Sequence, residues 1–131
     1  MELKRGRLID HLHLRTTDLA ASRKFYAAIL DVLGIPLIDG GDHFFADELW
    51  VDAGNPASHV HFAFQAPDRA TVDHWYAAGL SAGGRDNGGP GERKYHPGYY
   101  AAYLLDPDGH NVEAVYHGPG KRSSDAVTIT T

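Results

Sequence analysis

Two stretches of this chain, HLHLRTTDLAASRKFYAAIL at residues 11–30 and HFAFQAPDRATVDHWYAAGL at residues 61–80, align without a gap at a constant offset of 50. Seven of the twenty positions are identical: His11/His61, Asp18/Asp68, Ala20/Ala70, Tyr26/Tyr76, Ala27/Ala77, Ala28/Ala78 and Leu30/Leu80. Phe25/Trp75 adds an aromatic match. Self-similarity at a fixed spacing marks a duplicated structural unit. Each copy opens with strict apolar/polar alternation and then changes to three- and four-residue spacing, the pattern of a strand running into a helix. The change falls at Asp18 and Asp68, where a carboxylate can accept from the unpaired N–H groups of a first helical turn. Leu19, Phe25, Tyr26, Ile29, Leu30 and Leu33 form the apolar stripe of the first helix, and Val72, Trp75, Tyr76 and Leu80 that of the second. Gly34 and Gly83-Gly84 stop them.

Beyond each helix lie short apolar stretches broken by Gly, Pro and Asp, which read as strands at residues 36–38, 43–45, 48–52, 99–105 and 111–116. Asp106-Pro107-Asp108-Gly109 has the composition of a tight turn, so the last two strands should pair as a hairpin. The first strand after the second helix is poorly marked. The Gly/Pro-rich stretch from Gly83 to Gly98 is expected to include a mobile loop, and residues 118–131 to form a polar tail. The expectation is one domain over 1–131, with a first module at about 8–55 and a second at about 58–117.

Side chains two apart on a strand share a face. Leu12/Leu14 and Phe62/Phe64 therefore face the helices, while His11/His13/Arg15 and His61/Ala63/Gln65 point the other way. In the last strand Glu113 and Val115 oppose Val112 and Ala114. The polar faces are the candidate cleft.

The bulk composition narrows the function classes. Hydrophobic residues make up 43% and charged residues 22%, close to the globular norm and unlike disordered or fibrous chains. A net charge of -5 and the lack of a basic cluster beyond Lys4-Arg5 and Lys121-Arg122 argue against nucleic acid as a partner. No apolar run approaches the roughly 20 residues of a membrane helix, and no signal-peptide core follows Met1, which points to a cytoplasmic protein. With no cysteine, any metal must be held by nitrogen and oxygen, for which nine histidines are the supply.

From about Ile9 to His117 the chain resembles the vicinal oxygen chelate proteins, the glyoxalase/bleomycin resistance protein/dioxygenase superfamily. The resemblance rests on Ile9-Asp10-His11, Thr17-Asp18-Leu19-Ala20-Ala21-Ser22, Phe25-Tyr26, His61-Phe62-Ala63-Phe64, and Leu105-Asp106-Pro107-Asp108-Gly109-His110-Asn111-Val112-Glu113. It implies an α+β fold of two tandem βαβββ modules, whose mixed, open, barrel-like sheet surrounds a cleft with the helices outside. It also implies a divalent metal ion (Fe, Ni, Mn or Zn) held by His11, His61 and Glu113, and a homodimer acting on a small oxygen-chelating substrate. Two imidazoles and a carboxylate suit such ions and leave positions open for substrate.

Glu113 and Tyr103 are the candidate catalytic residues; Tyr103 stands ten residues before Glu113, where extradiol dioxygenases of this superfamily place a cleft tyrosine. His13 suits a supporting role, and His59 is a weaker rival of His61. Arg85, Arg93, Tyr95 and His96 belong to the stretch expected to border the cleft, where they could meet an anionic substrate group. One departure from four-ligand glyoxalase I enzymes is that Leu49 or Trp50 stands where a glutamate is required, with Glu48 in place only through a bulge. The expected function is lyase, isomerase or epimerase chemistry at a metal. The alternatives are an Fe(II) extradiol-type dioxygenase and a non-enzymatic bleomycin-resistance-like binder.

Overall fold

A computed structural model describes residues 2–5, 9–55, 57–120 and 127–130. The elements run β1 (Glu2–Arg5), β2 (Leu12–Thr16), α1 (Leu19–Val32), β3 (Ile38–Asp39), β4 (His43–Ala46), β5 (Leu49–Ala53), β6 (His61–Gln65), α2 (Arg69–Ser81), β7 (Arg85–Glu92), β8 (Tyr100–Leu105), β9 (Asn111–Tyr116) and β10 (Val127–Thr130). Two four-stranded sheets share one topology, β2-β5-β4-β3 and β6-β9-β8-β7, each with its first strand parallel to its last. The duplication in the sequence is thus a duplication of βαβββ units. The sheets are open and do not close into a barrel.

Both helices begin as their sequences dictate. Asp18 accepts from the Ala21 N–H at 3.0 Å and Asp68 from the Thr71 N–H at 2.7 Å, each satisfying one orphan donor of a first turn. The helices end just before Gly34 and Gly83, which take φ of +72° and +98°. Their apolar stripes meet in one core that joins Phe25, Tyr26, Ile29 and Leu30 to Val72 and Trp75 and to the inner strand residues Leu14, Phe44, Val51, Leu104, Val112 and Ala114.

The helices approach closely at Gly79, which occupies the repeat position of Ile29. A Cβ there would stand 2.2 Å from Leu104 Cδ1 and 3.0 Å from Ile29 Cγ2, both in fully buried side chains. Overpacking costs about 1–3 kcal/mol, against about 1 kcal/mol gained in helix propensity. Gly79→Ala is therefore expected to lower the urea midpoint; a raised midpoint would show that the core yields there.

Two expectations need correction. Half of the stretch from Gly83 to Gly98 is a strand, because β7 takes residues 85–92 and leaves 83–84 and 93–98 as connections. Its Gly and Pro residues are tolerated because β7 is an edge strand, where Pro90 need not donate to a second neighbour. Its pairing with β8 slips on either side of Gly88, whose φ of +141° suits a bulge. The tail is not wholly unstructured either: β10, a Val-Thr-Ile-Thr run of β-branched residues, pairs antiparallel with β1. Residues 121–126 of that tail lie outside the described residues. Among the described residues no helix is long and apolar enough to cross a membrane.

Candidate metal centre

The parallel pairing of β6 with β9 places Ala63 opposite Glu113, so His61 and Glu113 project from the same sheet face two positions apart. His61 Nε2 lies 3.2 Å from Glu113 Oε1. His61 Nδ1 is 3.0 Å from the Asn111 carbonyl oxygen, which can only accept, so Nδ1 carries a proton. In the neutral imidazole, Nε2 then presents a lone pair to a carboxylate oxygen. Two acceptors at that separation call for a shared proton or cation.

Glu113 is 3% exposed, and a buried charge is costly unless compensated. Its other oxygen, Oε2, accepts from the Tyr99 hydroxyl. Tyr99 keeps its proton, since burial first and the Glu113 hydrogen bond second push its pKa up. Tyr103 is raised as well, by burial and then by the Glu113 charge. His61, Glu113, Asn111, Tyr95, Tyr99 and Tyr103 together line a cleft of about 460 Å³. Sequence reasoning had Tyr99 only as part of a strand's aromatic alternation and gave Asn111 no role; their contacts depend on the β8/β9 hairpin register.

His11 does not join them within one chain. Its Nδ1 lies 2.8 Å from Asp10 Oδ1, the ring is largely exposed, and among the described residues no set of three potential ligands including His11 gathers around His61 and Glu113. His13 pairs with Asp52 at 2.7 Å on the open face of the first sheet, and exposed His59 is absent from the cleft wall. The register also settles the position left open between Leu49 and Trp50. Trp50 faces His13 as Glu113 faces Ala63, so the repeat equivalent of Glu113 is a tryptophan. The β2/β5 ladder runs without a bulge from Leu49 onward, and Glu48 stays in the preceding turn.

A second group, Asp106, Asp108 and His110, has ligand atoms within 4.8 Å of one another and could hold an ion. Most of those atoms already have partners. Asp106 Oδ1 accepts from the N–H groups of Asp108 and His110, and Oδ2 from Tyr26 OH at 2.7 Å and His110 Nδ1 at 2.6 Å. His110 Nε2 meets Ser58 Oγ at 2.7 Å, and Asp108 Oδ1 accepts from the N–H and hydroxyl of Thr17. Asp108 Oδ2 alone is buried without a partner. An ion would have to displace this network, which binds the second module's hairpin to α1 and to the end of β2. The Asp106-Pro107-Asp108-Gly109 turn therefore does more than reverse the chain, which its local sequence could not reveal.

The sequence profile of the Glyoxalase/Bleomycin resistance protein/Dioxygenase superfamily matches residues 8–114. The structure is similar to that of a glyoxalase/bleomycin resistance protein from Albidiferax ferrireducens T118, at TM-score 0.74 and 30% identity over 82% of this chain and 97% of that one. A family enzyme from Burkholderia phytofirmans PsJN is similar at TM-score 0.64 and 21% identity, covering 80% and 94%. Lactoylglutathione lyase from Agrobacterium tumefaciens is similar at TM-score 0.58 and 24% identity, covering 80% and 90%. At these lower identities the likeness is one of fold. No curated protein matches the chain.

Proposed function

The chain belongs to the glyoxalase/bleomycin resistance protein/dioxygenase superfamily, and on that premise we propose that it is a metal-dependent enzyme of lyase, isomerase or epimerase type acting on a small substrate with two adjacent oxygens. The observation that carries this reading is the facing pair His61 Nε2 and Glu113 Oε1, 3.2 Å apart in the wall of the cleft. With metal–nitrogen and metal–oxygen bonds of about 2.0–2.2 Å, such a separation suits neighbouring positions around one ion. His11 completes the set from a second copy of the chain in a homodimer. Supporting that arrangement, the first sheet leaves an open face with His13, Phe45 and Trp50 on it, Trp50 being 37% exposed.

A divalent ion bound there would act as a Lewis acid toward an enolate or oxyanion. The chain's own groups do the rest. Asn111 holds the His61 ring in the tautomer that offers Nε2. Tyr99 occupies Glu113 Oε2 and leaves Oε1 turned toward His61. Tyr103, held protonated, donates a hydrogen bond to a substrate oxygen on which negative charge develops.

Metal titration tests the reading. Protein purified without chelators and supplied with Fe, Mn, Ni or Zn should bind an ion in the cleft; no binding of any of these ions would refute it. Oxygen uptake with catechols by the Fe(II)-loaded protein would assign it instead to the dioxygenase reading. Tyr99→Phe should lower metal affinity by about 10-fold, the low end of what outer-shell partners contribute, and unchanged affinity would remove Tyr99 from its positioning role.

A further inference from the structure

Away from the cleft, three side chains distant in the sequence form one hydrogen-bonded line. Ser58, on the loop between β5 and β6, sets its Oγ 2.7 Å from His110 Nε2, and His110 Nδ1 lies 2.6 Å from Asp106 Oδ2. The imidazole thus meets a hydroxyl at Nε2 and a carboxylate at Nδ1, the two partners that turn a histidine into the base of a serine nucleophile. None of the three lines the cleft of His61 and Glu113.

The partners fix where the protons sit. Asp106 Oδ1 accepts from the N–H groups of Asp108 and His110, and Oδ2 from the Tyr26 hydroxyl, a donor set that suits the ionised carboxylate. An ionised Asp106 can only accept, so His110 Nδ1 carries a proton and the neutral ring turns its Nε2 lone pair toward Ser58. Ser58 Oγ accepts from the Arg15 N–H at 3.0 Å, while its own proton has His110 as the near acceptor and the Arg15 carbonyl farther off at 3.3 Å. A hydroxyl oxygen has two lone pairs, so one remains for attack on an electrophile.

Burial divides the roles. His110 and Asp106 are each 1% exposed, whereas Ser58 is only half-buried and is followed by exposed His59. Tying the loop to the hairpin would not by itself call for a buried His–Asp pair, which is costly to desolvate and which an apolar contact can replace without loss of stability.

We propose that Ser58 is a nucleophile that takes an acyl group from small activated esters, with His110 as its general base and Asp106 as the positioning residue. Ser58 Oγ bonds to the carbonyl carbon while its proton passes to His110 Nε2; the bond to the leaving oxygen then breaks, and that oxygen takes the proton. Water attacks the acyl-serine and gives a proton to His110, which returns it to Ser58 as the carboxylic acid departs. This activity is separate from the metal centre and does not depend on it.

The test treats the full chain with diisopropyl fluorophosphate in the presence of EDTA and maps the label by mass spectrometry, with 4-nitrophenolate release from 4-nitrophenyl acetate as the acyl-transfer readout. Alkaline pH is used: burial would lower His110, but the Asp106 hydrogen bond and charge hold it above its usual value, and only the neutral ring can take the Ser58 proton. The label should map to Ser58, and Ser58→Ala should lose both it and the ester cleavage. Asp106→Asn should still fold, as circular dichroism would show, yet react at least about 100-fold more slowly, because its amide can donate to Nδ1 and leave the ring proton on Nε2. Absence of label at Ser58, ester cleavage undiminished in Ser58→Ala, or an unchanged rate in folded Asp106→Asn would each overturn the proposal. With the chelator present, such a failure leaves the metal reading untouched.

Discussion

Glu113→Gln and His11→Ala are each expected to abolish tight divalent-metal binding, and refolding the two variants together is expected to restore part of it. Each variant removes a proposed ligand rather than a supporting group, so the loss should exceed the roughly 10–100-fold typical of outer-shell partners. Glu113→Gln preserves shape in a buried position and His11 is largely exposed, so both should fold; circular dichroism checks this. In a twofold dimer with sites shared between subunits, a mixed pair has one site missing both ligands and one intact, so random pairing returns roughly a quarter of the sites. Recovery near zero would contradict the shared site. Strong metal binding by Glu113→Gln alone would contradict the role of that carboxylate.

The second large effect concerns stability. Asp106→Ala should cost roughly 3–5 kcal/mol, because it breaks a buried pair and leaves two buried donors, Tyr26 OH and His110 Nδ1, without their acceptor. Asp106→Asn, which keeps an acceptor of similar size, should cost less. Burial alone would lower His110, but the Asp106 hydrogen bond and charge hold it above its usual value. Burial alone would raise Asp106, but the hydrogen bonds from His110 and Tyr26 hold it below its usual value.

A raised histidine contributes fully below its unfolded value of about 6.5 and loses that contribution as pH rises through its folded value. A lowered carboxylate contributes fully above about 3.9 and loses its share as pH falls through its folded value. The stability difference between wild type and Asp106→Ala should therefore be greatest between about pH 4 and 6.5 and shrink on both sides. Urea unfolding across that range measures it. A difference independent of pH would mean that the network is held together by packing rather than charge.

These residues also show what the sequence could disclose. The repeat, the Asp18 and Asp68 caps and the alternating faces were legible, because each depends on neighbours a few positions away. The strand β7 was not, since its glycines and proline carry a loop signature that only an edge position and a bulge make compatible with a sheet. Tyr26 contacts Asp106 across eighty positions, and no periodicity announces such a pair. Tyr99 reaches Glu113 because the hairpin register lays Tyr100 against Tyr116 and Tyr103 against Glu113. His61 and Glu113 were nameable from the family resemblance, whereas their tautomer and orientation follow from the Asn111 carbonyl and the Tyr99 hydroxyl.

The most direct test of the metal centre is an anomalous-difference map from crystals of the nickel-loaded protein. A peak is expected about 2.0–2.2 Å from His61 Nε2 and Glu113 Oε1, with a ring nitrogen of His11 from a second copy of the chain completing the set. A peak among Asp106, Asp108 and His110, or none beside Glu113, would contradict it.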